Sequence, residues 1–407
     1  MPVTLAQSAL ESAGAVRPAT APAERLVPAS VTIERMRPRL AEFGITRLAR
    51  QTGLDRVGIP CWAAFRPNAL TLSNSQGKGI DDASACASAL MEAVEFSIAE
   101  QPRVAVETTT FARLRAAGRR VADLQRQMPI GQPIAGDAVL AFVEARNLFD
   151  GDETVVPLDG VTVSVRPDSI PGLSRSSNGL ASGNVADEAI FHGLCELVER
   201  DATTLSGLTR GRGPLTIVPL DLFDDPVLAA LGDRIAAAGL SLWLTEETSD
   251  LGVPAFRAVI GERGDRYFDL AAGYGCHPVP ARAAMRALTE AAQTRVTNIA
   301  GSRDDFLPHE YDRRVASGLI SRLQGAVPVD RLRSTGFCGR PHLDALLDWL
   351  KDALLEHGVT DITLVPLGGA EYGIAVLKLI APQLEDRSPN RNWRPGLRAV
   401  RALKAAA

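Results

Sequence analysis

Apolar positions along the 407-residue chain recur in two rhythms. Runs with spacings of three and four predict helices over 80–100, 186–207, 226–238, 281–299 and 341–357. Short apolar runs predict strands in TVVPLDGVTVSV (154–165), LSLWLTEE (240–247), PAFRAVIG (254–261), DITLVPLGG (361–369) and GIAVLKLIAP (373–382). Strands and helices interleave, so the expected class is α/β (α+β). Gly- and Pro-rich stretches at 128–136 and 167–183 read as loops over a site. The Ala-, Pro- and Ser-rich residues 1–33 read as a flexible leader, and 34–405 as one domain. The leader has neither the basic start nor the compact apolar stretch of a signal peptide.

Three of the helical segments share one design. They are SQGKGIDDASACASALMEAVEFS (75–97), NGLASGNVADEAIFHGLCELVER (178–200) and GYGCHPVPARAAMRALTEAAQTR (273–295). Each passes from glycines into an Ala-rich helix that ends in Glu-x-x-Glu or Glu-x-x-Gln. Sliding the first onto the second by 104 residues, and the second onto the third by 94, aligns a polar stripe on one side of each helix. The stripes hold Ser84, Ser88, Glu92 and Glu95, then Asn184, Glu188, Glu196 and Glu199, then Arg282, Arg286, Glu290 and Gln293.

A charged stripe is by default the wet face of an amphipathic helix. These stripes are narrow and flanked by apolar residues, so the helices are expected to be covered on most sides. A buried carboxylate is costly unless it is paired or binds a metal. Hard divalent cations take oxygen ligands, and magnesium commonly arrives with substrate phosphates. Arginine donors on the third stripe, and Arg200 beside Glu199, suit phosphate oxygens. If the helices converge, Glu92, Glu95, Glu188, Glu196 and Glu199 become metal ligands of a nucleotide–magnesium site. Arg282 and Arg286 then clamp phosphate, with Arg286 preferred because it lies one turn before Glu290 as Ser88 does before Glu92. Glycines before the helix starts add free backbone amides that favour anions.

Of 44 basic residues only Lys78, Lys351, Lys378 and Lys404 are lysines. Lys78, in the first glycine segment, is either a compact cation at the site or a loop position filled by chance. His192 sits within the second stripe as a site contact or as a satisfied neutral histidine, and the five histidines are too dispersed for a metal triad. A net charge of −4 gives no reason to expect nucleic acid or a membrane surface as partner. No apolar run reaches the roughly 18 residues of a membrane span. The five cysteines form no CxxC pair, which fits a reducing cytoplasm. P-loop, Rossmann, GxSxG, HExxH and kinase signatures are missing.

On these segments the chain resembles the YcaO family of ATP-dependent enzymes that modify peptide backbones. RLARQTGLDRVGIPCWAAFRPNA (47–69), ETSDLGVPAFRAVI (247–260), LKLIAPQLED (377–386) and RPGLRA (394–399) extend the resemblance over roughly 35–400. It implies a YcaO-like fold of pseudo-repeated subdomains around a central nucleotide cleft. It implies that ATP and Mg2+ are held by Ser88, Glu92, Glu95, Asn184, Glu188, Glu196, Glu199 and Arg200, nearly the set the repeat selects. Lys78, Arg282 and Arg286 complete the expected cofactor site, with Glu199, Arg200 and Arg286 expected to serve catalysis.

Family members phosphorylate a backbone amide oxygen as a nucleophile adds to the carbonyl carbon. Azoline-forming members typically end in alternating prolines; this chain ends RSPNRNWRPGLRAVRALKAAA. Its style is nearer to thioamide-forming members that work with TfuA-type proteins. The expected partners are therefore a precursor peptide or protein, a TfuA-like protein, and a second copy in a homodimer. Azoline formation on Cys, Ser or Thr, a non-catalytic nucleotide-binding accessory role, and a magnesium-dependent ligase or kinase acting on a small molecule are the alternatives.

Overall fold

The computed structural model describes residues 24–211, 215–262, 270–305, 317–387 and 390–406. Most of the expected leader, 1–23, therefore lies outside the described residues. Its end does not behave as a leader: Ala29–Met36 forms helix α1, with Ile33 and Met36 buried. The boundary expected at residue 33 is thus misplaced, and packed structure begins by residue 24.

Three strand–helix units make the frame. In the first, strands β1 (Arg47–Arg50), β2 (Cys61–Phe65) and β3 (Asn74–Lys78) form an antiparallel sheet and lead into helix α2 (Asp82–Glu100). Asp81 caps α2 by accepting from the Ser84 amide at 2.7 Å. The second unit is a seven-stranded sheet. It gathers β4 (Val106–Thr110), β5 (Arg120–Val121), β6 (Val139–Asn147), β7 (Glu153–Pro157) and β8 (Leu180–Gly183) with the late strands β14 (Thr363–Gly368) and β15 (Ala375–Ile380). A short helix α3 (Phe111–Ala116) follows β4, and β8 leads into helix α4 (Ala186–Thr209). In the third unit, past the short β9 (Thr216–Ile217) and helix α5 (Pro226–Ala237), β10 (Leu240–Glu246), β11 (Ala255–Glu262) and β12 (Ala271–Cys276) lead into α6 (Pro280–Ala300). Helix α7 (Ser317–Gln324), β13 (Val327–Pro328), helix α8 (Leu343–Glu356) and helix α9 (Leu397–Ala406) complete the described chain.

Each of the three long helices centres its own core. Ala89, Leu90, Ala93 and Val94 of α2 pack with Val143, Val156, Val365 and Val376 of the large sheet. Leu194, Leu197 and Val198 of α4 pack against Leu346 and Leu350 of α8 and Leu377 and Leu379 of β15. Ala287, Leu288 and Ala291 of α6 pack against α5 and the third sheet. The strands preceding these helices, β3, β8 and β12, stand at the edge of their sheets. Each helix covers its own edge strand and also the next: α2 packs on β8, α4 on β12 and α6 on β3. The three units therefore close a ring.

The expected helices all form, with ends shifted by one or two residues. The strand expected over 154–165 stops at Pro157, where Leu158–Gly160 turns into a 3-10 helix. Strands β1, β3, β8 and β12 fall outside the expected runs because Gly, Ser or Arg interrupts their apolar pattern; β2, β4, β5, β6, β9 and β13 lie outside them too. Of the expected loops at 128–136 and 167–183, only 180–183 lines the main cavity, and it does so as strand β8; 128–136 and 167–179 do not. They pack together instead: Gly172 lies against Pro129, and Asn392 bridges Gly172 and Gln127.

The glycines read as anion donors have a steric role. A Cβ on Gly77 would stand 2.1 Å from the Ala89 nitrogen, and one on Gly273 2.1 Å from that of Ala291. Helix and edge strand touch backbone to backbone there, which Ala-rich helix faces permit. Gly77→Ala or Gly273→Ala should cost about 1–3 kcal/mol or more in a denaturant titration, since nothing can move aside. Gly207→Ala, on an open part of α4, should stabilise by about 0.5–1 kcal/mol.

Candidate active site

The ring encloses a cavity of about 590 Å³, within the usual range for small-molecule sites. Helix α2 contributes Ser84, Ser88, Glu92 and Glu95 to its wall, α4 contributes His192, Glu196, Glu199 and Arg200, and α6 contributes Arg282, Arg286 and Glu290. Edge strands add Lys78, Ser182 and Tyr274, and residues 24–32 cover one side. Of the residues expected from sequence, Lys78, Ser88, Glu92, Glu95, Asn184, Glu196, Glu199, Arg200, Arg282 and Arg286 all face this one space.

Glu188 is the exception. It is fully buried, accepting from the Leu26 amide at 2.7 Å and from Asn184 through backbone N (2.8 Å) and Nδ2 (3.0 Å). Arg25 stands 3.6 Å away. Asn184 accepts in turn from Thr32 Oγ1 at 2.9 Å and Arg35 at 3.3 Å. Glu188 is therefore not a lining metal ligand in this structure; it anchors residues 24–26 over the cavity.

The repeat survives as chemistry. The equivalent residues Glu92, Glu196 and Glu290 each accept a backbone N–H from the preceding strand segment, from Gln76, Gly179 (3.3 Å) and Tyr274 (3.2 Å) respectively. Further contacts join units: Lys78 of β3 binds Glu290 of α6, and Ser182 of β8 hydrogen-bonds Glu95 of α2. Arg200 lies 3.6 Å from Glu196 on its own helix.

Negative charge is incompletely balanced. Burial, only partly offset by Lys78 and Arg303, raises the Glu92 carboxyl to about 7. Burial, with Glu196 and Glu92 as like-charged neighbours, pushes Glu95 well above the ordinary range. Burial and Glu290 raise Glu199 to about 7 against Arg200 and Arg286. Glu290 also bears a burial penalty, but Lys78 overcomes it and holds that carboxylate low. Burial, then Arg25 and Arg286, drives His192 far down, so its ring is neutral and its Nε2 lacks a partner. The Arg200 Nε is likewise buried without a partner.

Two lysines counter the carboxylates, the expected Lys78 and an unexpected Lys378. Lys78 pairs directly, and Lys378 of β15, buried at 3% exposure, lies among Glu196, Glu95 and Asp386. Burial lowers the Lys378 ammonium to about 8. Its position in an apolar strand run gave no sign of which face it takes. Tyr274, Ser182 and residues 24–32 were also missed. Arg47 and Arg295 are engaged elsewhere, over Phe65 and beside Asp55.

Among the described residues no three His, Cys, Asp or Glu side chains stand close enough to hold one ion. The donor set still fits magnesium, which takes one or two carboxylates and completes its shell with water and substrate phosphates. Such a cation would displace the protons that burial favours on Glu92 and Glu199, and its phosphates would accept from the unused Arg200 Nε. All five cysteines are free, and no described helix is long and apolar enough to cross a membrane.

Residues 76–385 match the family model of the YcaO cyclodehydratases, described as ATP- and Mg2+-binding. The chain is 38% identical over 394 residues to an uncharacterised protein of the tfuA 3′ region of Rhizobium leguminosarum bv. trifolii, with 94% of each covered. It is 34% identical over 370 residues to an uncharacterised protein of Methanothermobacter thermautotrophicus, covering 88% of this chain and 94% of that one. Its fold matches YcaO from Methanopyrus kandleri bound with AMPPCP and Mg2+, at a TM-score of 0.70 and 22% identity over 93% of this chain and 98% of that one. It also matches a heterocyclase in complex with substrate and cofactor, at 0.72 and 22% over 89% of this chain; the chain spans 53% of that protein's length.

The raised carboxyls set a pH dependence. Each keeps its proton in the native state after the unfolded chain has released it. Their contribution to the stability of the ligand-free protein should therefore fall as pH rises from the ordinary value of 4.5 toward about 7, and level off above. Glu92→Gln and Glu199→Gln should each flatten the slope in denaturant titrations across that window. An unchanged slope would mark both as solvated surface groups.

Proposed function

The chain belongs to the YcaO family, whose members are ATP- and Mg2+-binding cyclodehydratases, and from that footing we propose that its cavity activates a peptide backbone amide by transferring a phosphoryl group from ATP to the amide oxygen. One observation carries the reading: acidic α2 and α4 and arginine-bearing α6 face one another across a single cavity. That is the polarity a magnesium–triphosphate requires.

Glu92, Glu95, Glu196 and Glu199 are the residues that would hold the ion. Magnesium, when bound, neutralises phosphate oxygens as charge moves between them. Arg282 and Arg286 supply donors from the opposite wall. Arg200 donates from α4 with its unused Nε, and Lys78, oriented by Glu290, adds a compact charge. The neutral His192 ring accepts or donates a hydrogen bond without adding charge. Residues 24–32 exclude water from one side.

We assign the nucleophile as sulfide, giving a thioamide. Sulfide adds to the carbonyl carbon, the amide oxygen takes the phosphoryl group, and the C–O bond then breaks with release of phosphate. The protein need supply no covalent nucleophile. The relative in the tfuA 3′ region supports this branch. The proposed setting is the cytoplasm, with a precursor peptide or protein as substrate, a TfuA-like partner, and a homodimeric assembly.

Incubation with ATP, Mg2+, sulfide and the short peptides encoded beside the gene should release phosphate only when peptide is present. The peptide should exchange one oxygen for sulfur in its mass spectrum. Phosphate or AMP release without peptide would replace this reading with a small-molecule kinase or ligase. In calorimetric titration with ATP and Mg2+, Glu199→Gln should abolish the magnesium-dependent part of binding. Arg286→Ala should lose about 1.5–3 kcal/mol, the usual cost of removing a charge-assisted bond from a desolvated group.

A further inference from the structure

Lys378 of β15 does not line the central cavity. It lines a separate space of about 40 Å³ with Ser176, Asn178 and Asp386. Its neighbours along the strand show which way it turns. Val376 and Ile380 pack into the core of α2, whereas Leu377 and Leu379 pack into that of α4. Successive strand residues alternate in face, so Lys378 takes the α2 side. Leu180 of β8 is its cross-strand partner, and Ser182 is that of Val376. Lys378 therefore shares the face from which Ser182 holds Glu95.

From that face the ammonium reaches the chain that enters β8. Lys378 Nζ donates to the Ser176 carbonyl. The next residue, Leu379, donates its backbone N–H to the Gly179 carbonyl at 2.8 Å. Two successive residues of β15 thus hold both ends of the turn 176–179. The turn is braced within itself by Asn178 N–H on Ser176 Oγ at 2.9 Å and by Leu180 N–H on the Ser177 carbonyl at 2.7 Å. Gly179 adopts φ +77°, and a Cβ there would stand 2.4 Å from the Leu379 oxygen, so a side chain is excluded. What this turn presents to α4 is the Gly179 N–H, which donates to Glu196 Oε2 at 3.3 Å.

We propose that Lys378 is a positioning residue for the metal site: by gripping the turn 176–179 it fixes the Glu196 carboxylate, and so makes the site select magnesium over larger divalent cations. Glu196 lines the cavity on a flexible side chain, and the Gly179 N–H is its backbone anchor. If the turn is loosened, the carboxylate oxygens spread over several positions. Magnesium demands near-ideal octahedral geometry at about 2.0–2.1 Å, whereas calcium accepts longer and less regular bonds. A fixed carboxylate therefore favours the smaller ion. Groups that orient a metal ligand from behind govern metal affinity nearly as strongly as the ligand does. The inference rests on Glu196 as a ligand of the ion, and it holds whichever nucleophile attacks the amide.

In the test, Mg2+ or Ca2+ is titrated into the whole protein mixed with AMPPNP, and calorimetry reads the affinity of each ion. The unmodified protein should prefer Mg2+. Lys378→Met keeps the length of the side chain but removes its charge and its donor. In that variant Mg2+ affinity should fall about ten- to hundredfold, and Ca2+ affinity clearly less, so the preference shrinks. Lys378→Arg restores charge and donor and should return most of the preference. Denaturant titration checks that the variants fold. Where Lys378→Met does not, Lys378→Gln is read in its place, with a smaller shift in the same direction expected. A preference unchanged in the neutral variant, or an equal loss for both ions, would leave Lys378 a structural residue and overturn the proposal. Tighter binding of both ions would show that Lys378 acts only by opposing their charge, and would overturn it as well. If neither ion binds the unmodified protein with AMPPNP, the metal reading of the cavity fails together with this one. Normal ion binding that is indifferent to Lys378 removes the positioning role alone.

Discussion

Everything in this molecule depends on closing a ring of three edge strands. An exposed edge invites pairing with another chain, and here each edge is covered by the helix of the preceding unit. Coverage requires backbone contact, so the strands carry glycine and the helices alanine where they meet. Once closed, the ring leaves each helix one free stripe, directed inward. The acidic stripes face one another because no other direction remains. The raised carboxyls follow from that geometry, since like charges in a shared, partly dry space resist ionising together.

The three units share a backbone design but differ in charge. The first two stripes are chiefly acidic, and the third carries arginine. A symmetrical ring with three acidic stripes would gather cations without orienting them. Substituting Arg282 and Arg286 into the third gives the cavity a negative and a positive wall. A ligand with charge of both signs, such as a metal–phosphate complex, can then bind in one orientation only.

The repeated Glu-x-x-Glu made this site legible in sequence, because a helix converts spacing into direction with little help from the rest of the fold. The helices were legible for the same reason. Glu188 was misplaced because its spacing fitted the stripe, while its partners, Arg25 and Leu26, came from a stretch that reads as a leader. Lys378 was hidden because a strand run such as AVLKLI does not announce which face meets a site, and only the pairing of β15 with β8 decides it. Strands β3, β8 and β12 were obscured by the glycines that make the ring possible.

The central cavity depends on segments as far apart as residues 24–32 and strand β15. Strand β15 pairs with β8 and brings Lys378 behind Glu196, although β15 begins at Ala375. Helix α9 then holds α4 through Arg398 on Asp201, the neighbour of Arg200. Synthesis must therefore pass Arg398 before the acidic cleft can close. Until then, the carboxylates of α2 and α4 remain in water, where keeping them ionised carries no penalty. A nascent chain stopped before Ala375 would lack both β15 and α9, and its acidic stripes would stay open to water.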